Sequence, residues 1–230
     1  IMAYTNIDDP SAYFQATTYT GNGSNPRNLT NDGNSDLKPD FLWLKNRTDS
    51  GSNHVLANSS LGWDAPKGQG YPWENGPFGG QMASDSNGAE NTPAATYGYI
   101  SAALTDGFTA AAGGTNGDVA NANNKEYVAW QWKANGGTTA SNTDGSITST
   151  VQANQDAGFS IVTYTGTGGD ITVGHGLGVA PSAIIIKSRS NALPWVVWTA
   201  GMAGTTSVME LNTTGAEQTV SNYWYNGFSS

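Results

Sequence analysis

The feature that most constrains this chain is a short phrase that occurs twice. The sequence reads YTGNGSN from Tyr19 and YTGTGGD from Tyr164. Further blocks recur in the same order: LKPDFLWLKNR from Leu37 with GVAPSAIIIKSR from Gly178, HVLANSSLG from His54 with WVVWTAGMAG from Trp195, and TDGFTA from Thr105 with YNGFSS from Tyr225. Ordered self-similarity of this kind is typical of a duplicated structural unit. We therefore predict two related units.

The two copies differ in one insertion and at their ends. The first copy carries extra residues near 63–95, and it continues after its GF phrase into NNKEYVAWQWKANGG. The second copy has its GF phrase just before Ser230, so a counterpart of that last segment is missing. The sequence predicts a first unit over 1–135, a linker over 136–155 and an incomplete second unit over 156–230.

Both units are predicted to consist of strands. In EYVAWQWK, Val128, Trp130 and Trp132 alternate with their neighbours, which indicates one face of a strand. The Lys and Gln on the other face favour the tryptophan face as the core side. DFLWLK and AIIIK have the short apolar runs of central strands, and SIVTYTG is rich in β-branched residues. The linker contains one predicted strand, from Ser146 to Val151.

The stretch YISAALTDGFTAAAGG has a helix-like pattern, although glycine interrupts it. Regularly spaced strands with turn signals between them otherwise indicate a sandwich or barrel. The predicted fold class is all-β, with two related antiparallel β-sandwich units of which the second is incomplete.

Composition excludes several classes of function. The net charge is −9 with only nine Lys and Arg, so we expect neither a nucleic-acid nor an anionic-membrane partner. There is no Cys, which excludes disulfides and thiolate chemistry. A transmembrane helix needs about 20 apolar residues, and the chain has no run of that length.

The phrases PDFLWLKNR, GFSIVTYTGTG and VGHGLGVAPSAIIIKSR, with the linker ANGGTTASNTDGSITSTVQAN, carry a family resemblance. The chain resembles a family of marine bacteriophage virion proteins of the tail-fibre or appendage kind, with repeated concanavalin-like jelly-roll sandwiches. The resemblance implies a component of an extracellular virus particle and no catalytic motif. It also implies homo-oligomers, with a trimer as one arrangement, and contacts with other virion proteins.

The insertion holds the main candidate ligand-binding residues, which are aromatic and acidic side chains among Gly and Pro: Trp63, Asp64, Tyr71, Trp73 and Glu74. Exposed aromatic rings stack on sugars, and nearby carboxylates accept hydrogen bonds from hydroxyl groups. Loops on a rigid sandwich often carry binding sites. The alternatives are packing against a neighbouring subunit, which we favour over sugar binding, and packing within the loop itself.

Metal and catalytic signals are weak. Asp32, Asp36 and Asp40 offer oxygen ligands that suit Ca²⁺, but their spacing does not match an EF-hand and such residues also favour turns. His54 and His175 each lack a second histidine at ligand spacing. The sequence therefore predicts no cofactor, with calcium as the weak exception.

Hydrolysis of a glycosidic bond needs two carboxylates that face it. The five glutamates are scattered along the chain, and Glu74 is the best single candidate. We expect a non-enzymatic structural protein of a phage tail appendage or fibre, whose outward loops meet either a host glycan or adjacent subunits. The alternatives are a capsid decoration protein and an envelope polysaccharide hydrolase.

Overall fold

The structure, a computed structural model, describes residues 7–61, 81–90, 97–113, 119–220, 223–224 and 228. Within these residues the regular structure is strand, apart from short 3-10 turns at Pro10–Ala12 and Ser59–Leu61. The strands are β1 Phe14–Thr20, β2 Arg27–Leu29, β3 Phe41–Asn46, β4 Val55–Asn58, β5 Tyr99–Ala103, β6 Phe108–Ala111, β7 Glu126–Trp132, β8 Ala140–Asn142, β9 Ser149–Asn154, β10 Phe159–Thr163, β11 Ala183–Ile186, β12 Val196–Thr199, β13 Ser207–Glu210 and β14 Gln218–Thr219. The predicted all-β class is confirmed.

The first seven strands form two antiparallel sheets that pack face to face. One has the order β1-β7-β3-β4 and the other the order β2-β6-β5. Their facing side chains form one hydrophobic core, which includes Leu42, Leu44 and Tyr127 from the first sheet and Ile100 and Phe108 from the second. This arrangement is a β-sandwich, and its last strand in the chain, β7, lies between β1 and β3.

The strand β7 was predicted with the wrong face toward the core. Tyr127, Ala129 and Gln131 are fully buried, whereas Trp130 and Trp132 are half-buried on the opposite face. Gln131 is accommodated in the interior because its side-chain amide nitrogen donates to Thr17 Oγ1 at 3.1 Å and to Asn31 Oδ1 at 2.6 Å. A buried glutamine with hydrogen-bond partners is compatible with a core, so polarity alone did not identify the outward face.

The helix-like stretch is wrong as a helix and forms the β5–β6 hairpin instead. Its turn requires Gly107, whose φ is +94° and whose position would place a Cβ atom 2.0 Å from the carbonyl oxygen of Leu29. Ile100 and Phe108 then point into the sandwich from the two strands. The small alanines therefore serve a tightly packed sheet, not a helix.

The linker forms more structure than predicted. Two strands, β8 and β9, lie within it, and they form a three-stranded sheet of order β10-β9-β8. Gln152 of β9 is fully buried and attaches this sheet to the first sandwich. Its side-chain nitrogen donates to the hydroxyl oxygens of Ser59 and Ser60, both at 2.9 Å.

The remaining strands form a sheet of order β11-β12-β13-β14. The β11–β12 hairpin has Ala183 opposite Thr199 and Ile186 opposite Val196. The predicted central position of AIIIK is wrong, because β11 is an edge strand in this sheet, whereas DFLWLK forms the central strand β3 as predicted. Consistent with an edge position, Ile185 is 49% exposed.

Candidate functional site: an aromatic face

The most distinctive surface is the outer side of the β1-β7-β3-β4 sheet. Cross-strand register aligns Phe14, Trp132 and Phe41 in one row across three strands. The next row aligns Trp130 with Trp43. We call these five side chains the aromatic face. Alternation along each strand places them together, because residues two apart point to the same side of a sheet.

The rings of the aromatic face are in contact within each of its two rows. Trp132 lies between two phenylalanines, with ring centroids 4.9 Å from Phe14 and 5.4 Å from Phe41. Trp43 and Trp130 meet edge to face at 6.1 Å. These distances are those at which aromatic pairs attract each other. The rings therefore support each other's orientation.

Part of the aromatic face is covered by the neighbouring sheet. Phe159, the first residue of β10, stacks on Trp132 with ring centroids 6.1 Å apart and an interplanar angle of 19°. It also lies 6.0 Å from Phe41. Phe14 is 40% exposed, while Trp43 and Trp130 are half-buried. Phe159 thus covers Trp132 and Phe41, while Phe14 and the end formed by Trp43 and Trp130 retain accessible ring surface.

His54 borders the accessible end. Its Nδ1 accepts a hydrogen bond of 2.8 Å from the indole nitrogen of Trp43, and its ring lies edge to face with the same indole at 5.8 Å. Burial lowers the pKa of His54, Asp85 opposes that shift and Lys45 adds to it. The neutral imidazole therefore fixes the orientation of Trp43.

A row of rings with a hydrogen-bonding edge can bind a ligand that has one flat apolar side and polar groups around its rim. Sugars have this character. Lys45 also points to the outer side, two residues beyond Trp43, and its ammonium group donates to the Ser52 carbonyl oxygen. The same face could equally pack against another protein surface, since aromatic side chains are enriched in protein interfaces.

The ligand-binding residues predicted from the sequence lie outside the described part of the chain. Trp63, Asp64, Tyr71, Trp73 and Glu74 all fall within residues 62–80. Their predicted role stays a prediction. The aromatic face is built entirely from other residues.

The weak calcium candidates do not converge on one site. Asp32 and Asp36 are exposed, whereas Asp40 is fully buried. One oxygen of Asp40 accepts from the Ser59 hydroxyl at 2.9 Å, and the other accepts from the backbone N–H groups of Ala134 at 2.7 Å and Gly136 at 2.9 Å. Asp40 therefore acts as a structural acceptor. Within the described residues, no three His, Asp or Glu side chains are grouped to hold a metal ion.

The other charged residues noted in the sequence also make structural contacts. His175 Nδ1 accepts from the backbone N–H of Leu177 at 3.2 Å. The guanidinium of Arg189 pairs with the Glu90 carboxylate, and the ammonium of Lys187 donates to backbone carbonyl oxygens. Each of these side chains thus makes contacts that stabilise the local structure.

Sequence reasoning identified Trp130 and Trp132 but did not group them with Phe14, Phe41 and Trp43. A signal for this grouping exists in FLWLKN and EYVAWQW, where aromatic residues recur two apart, and in FQATTYT, which begins with Phe14. The grouping requires the order β1-β7-β3, which pairs strands more than 80 residues apart in the chain. That order is not visible in any local pattern.

Comparison with known proteins gives one result. A family model described as a domain of unknown function (DUF7483) matches residues 9–230. No curated protein and no solved structure matches the chain. In the part of the chain that the structure describes, no helix is long and apolar enough to cross a membrane.

Proposed function

The chain belongs to the DUF7483 family, whose description names no function, and on that premise we propose that it is a non-enzymatic, adhesive structural protein of a virus particle. It forms part of a phage tail appendage or fibre. Its aromatic face binds a host surface glycan.

The half-buried outer position of Trp43 and Trp130 is the observation that carries this proposal. Two indoles held edge to face, 6.1 Å apart, offer a preformed apolar surface that loses little conformational freedom on binding. His54 holds one of them through the 2.8 Å hydrogen bond. Preformed, mostly apolar surfaces with a few polar groups are typical of small-ligand sites.

A structural role is supported by what the described acids do. Glu126 accepts from the Thr20 hydroxyl at 2.8 Å, Glu90 pairs with Arg189, and Asp40 binds backbone N–H groups. Each of these carboxylates is engaged in fixing the fold. A glycosidase instead requires two acids that face one bond.

The location in a virion is supported by the phrase-level resemblance to phage appendage proteins. The 12% share of charged residues and the many Thr, Asn and Gly leave a largely neutral polar surface. Oligomers of such a chain would repeat one interface around an axis. The rival role as a capsid decoration protein differs in that the aromatic face would be covered by a neighbouring subunit in the particle.

The proposal is tested by screening the purified chain against an array of bacterial surface polysaccharides and measuring the affinity for any hit. We expect Trp130→Ala to weaken binding by up to about tenfold, because an aromatic stacking contact contributes about 0.5–1.5 kcal/mol beyond the area it buries. Val128 lies two residues from Trp130 on the same side of β7, so Val128→Ala is the matched control and should retain the affinity.

Binding that survives both Trp130→Ala and Trp43→Ala would remove the aromatic face from the proposal. In that case the insertion residues become the next site to test. The absence of any bound polysaccharide, together with an aromatic face that is inaccessible in electron cryo-microscopy of the particle, would favour the decoration role.

A further inference from the structure

The hairpins β3–β4 and β11–β12 have the same register. In the first, Phe41 lies opposite Asn58 and Leu44 opposite Val55. In the second, the four pairs run in the same way from Ala183 and Thr199 to Ile186 and Val196. The third strand agrees as well, because Leu56 bridges to Met82 while its counterpart Val197 pairs with Met209. The two hairpins are therefore equivalent positions of the two units.

In the first unit, the free side of this hairpin is occupied by β7. The backbone N–H of Arg47 donates to the Glu126 carbonyl oxygen at 2.7 Å. The backbone N–H and C=O groups of the odd-numbered residues of β3 therefore point to β7. In the second unit, the N–H of Ala200 donates to the Ser182 carbonyl oxygen at 2.8 Å. The backbone N–H and C=O groups of the even-numbered residues of β11 therefore point to β12. The backbone N–H and C=O groups of the odd-numbered Ala183 and Ile185 are then directed away from β12, as the backbone groups of Phe41 and Trp43 are directed to β7.

The strand β10 is the counterpart of β1, the second strand that pairs with β7 in the first unit. In the first unit β7 is also paired with β1, and the phrase YTG begins at the end of β1 and again just after β10. β10 and β11 are edge strands of separate sheets, so each has one side that no strand of the described residues pairs with. Unpaired edges of this kind are ready to accept another strand.

Equivalent residues are more buried in the first unit than in the second. Tyr19 is 8% exposed and stacks on Tyr127 of β7 at 5.0 Å, whereas its counterpart Tyr164 is 39% exposed. Leu42 and Leu44 are fully buried, whereas their counterparts Ile184 and Ile186 are half-buried. Of eight strongly exposed large apolar or aromatic side chains among the described residues, six lie after residue 160. The second unit therefore lacks the cover that β7 gives the first.

The first unit shows which residues meet at the end of the edge that β7 occupies. Glu126 lies beside Arg47 in the first unit, where the N–H of Arg47 meets its carbonyl oxygen. Arg189 holds the position equivalent to Arg47, and Lys187 holds the position equivalent to Lys45. Among the described residues, the ammonium of Lys187 donates to the backbone oxygens of Asn87, Ser188 and Asn191. By the register of the first unit, an acidic residue at the start of an added strand would lie beside Arg189, whose guanidinium already pairs with the Glu90 carboxylate.

We propose that the edges of β10 and β11 form an acceptor site for one added β-strand with the chemistry of β7. The added strand is antiparallel to both edges, acidic at its start and aromatic or aliphatic at alternate positions. Recognition combines main-chain hydrogen bonds with pockets for alternate side chains, which is the general mode of strand addition. The site uses the backbone edges of β10 and β11 and does not depend on glycan binding, although Phe159 at the start of β10 contacts the aromatic face.

The test uses the whole 230-residue chain and a synthetic peptide with the sequence of residues 124–134, NKEYVAWQWKA. We expect saturable binding of the fluorescently labelled peptide. Hydrogen–deuterium exchange should slow at the amides of β10 and β11 and stay unchanged in β3. A peptide with Ala129→Pro is the matched probe, and it should bind about tenfold or more weakly, because proline removes a ladder donor and does not fit a central strand.

A pair of chain variants distinguishes backbone pairing from non-specific hydrophobic binding. Ile185→Pro removes an N–H that faces away from β12, whereas Ile185→Ala keeps it. We expect the proline variant to lose about tenfold or more in affinity and the alanine variant to lose less, with the exchange pattern of β12 and β13 intact in both. In a chain extended after Ser230 by a copy of residues 111–133, the site should be filled, and the free peptide should no longer bind.

Three results would overturn the proposal. They are the absence of binding by the unmodified peptide, equal binding by the two peptides, and protection by the peptide at a place other than β10 and β11. Self-association of the chain with slowed exchange in β11 before any peptide is added would also overturn it, since a second copy would then occupy the edge.

Discussion

The carboxylate of Asp40 lies where the start of β3, the end of β7 and the linker meet. It accepts hydrogen bonds from the hydroxyl of Ser59 and from the backbone of Ala134 and Gly136. Ser59 in turn accepts from the side chain of Gln152 in the linker sheet. Two buried polar side chains thus connect the first sandwich to the next sheet, and the network holds only while its members are satisfied.

We predict that Asp40→Ala destabilises the chain by about 2–4 kcal/mol, because it leaves buried backbone donors without an acceptor. Urea unfolding followed by tryptophan fluorescence measures the change. The exposed Asp36 provides the control, and Asp36→Ala should shift the midpoint little. Equal midpoints for the two variants would show that water replaces the carboxylate at no cost.

His54 gives the fold a predicted dependence on pH. Its pKa in the folded chain is lowered from the ordinary value of 6.5, chiefly by burial, and its Nδ1 must stay unprotonated to accept from Trp43. A group with a lowered folded pKa contributes stability that is complete above its unfolded pKa and is lost as the pH falls through the folded one. Stability should therefore decline as the pH is lowered from about 6.5 toward the range where carboxylates titrate.

The measurement for His54 is the midpoint of thermal unfolding between pH 7.5 and 5. In His54→Gln, which cannot titrate, the part of the slope that lies just below pH 6.5 should disappear. A wild-type midpoint that rises on acidification over this interval would contradict the expected direction of the effect.

At the level of elements, the strands themselves were largely predictable and their faces were not. The alternation in EYVAWQW marks β7 as a strand, but apolar residues occupy both of its sides. The core side was decided by Tyr19, Leu44 and Phe108 on other elements, which surround Tyr127. Partners distant in sequence therefore determine which side is buried, and the half-exposed tryptophans follow from that choice.

The β5–β6 turn can be tested by substitution of Gly107. Gly107→Ala should destabilise by at least about 2 kcal/mol, because an L side chain is strained at φ +94° and its Cβ would collide with the backbone of Leu29. Chemical denaturation compares it with Gly166→Ala, since Gly166 has open space around it. A loss of stability shared equally by both variants would indicate that the turn is not the cause.

At the level of the whole molecule, the hydrophobic core belongs to one unit. The members of the core cluster all lie between Tyr19 and Ala129. The strands after residue 180 bury Trp195, Trp198 and Val208 but leave much apolar surface exposed. Among the described residues, the two units thus differ in burial although their hairpins share a register. The repeat in the sequence predicts two related units. The contacts that Gln152 and Phe159 make with the first sandwich could be identified only from the structure.

We predict that a fragment of residues 1–135 unfolds cooperatively and that a fragment of residues 156–230 does not. The first fragment retains both sheets of the sandwich and its core, whereas the second would have to fold around an incomplete one. Thermal unfolding followed by circular dichroism distinguishes the two. A cooperative transition in the second fragment alone would show that it closes a core of its own.

The place of β7 between β1 and β3 also sets the order in which the molecule can be made. On the ribosome, β1 and β3 emerge long before the residues that join them, because their common neighbour ends at Trp132. Folding must wait for these distant pairings, which slows it. A half-synthesised chain carries unpaired strands that invite aggregation, so translation speed and chaperones should affect the yield of this protein more than its final stability suggests.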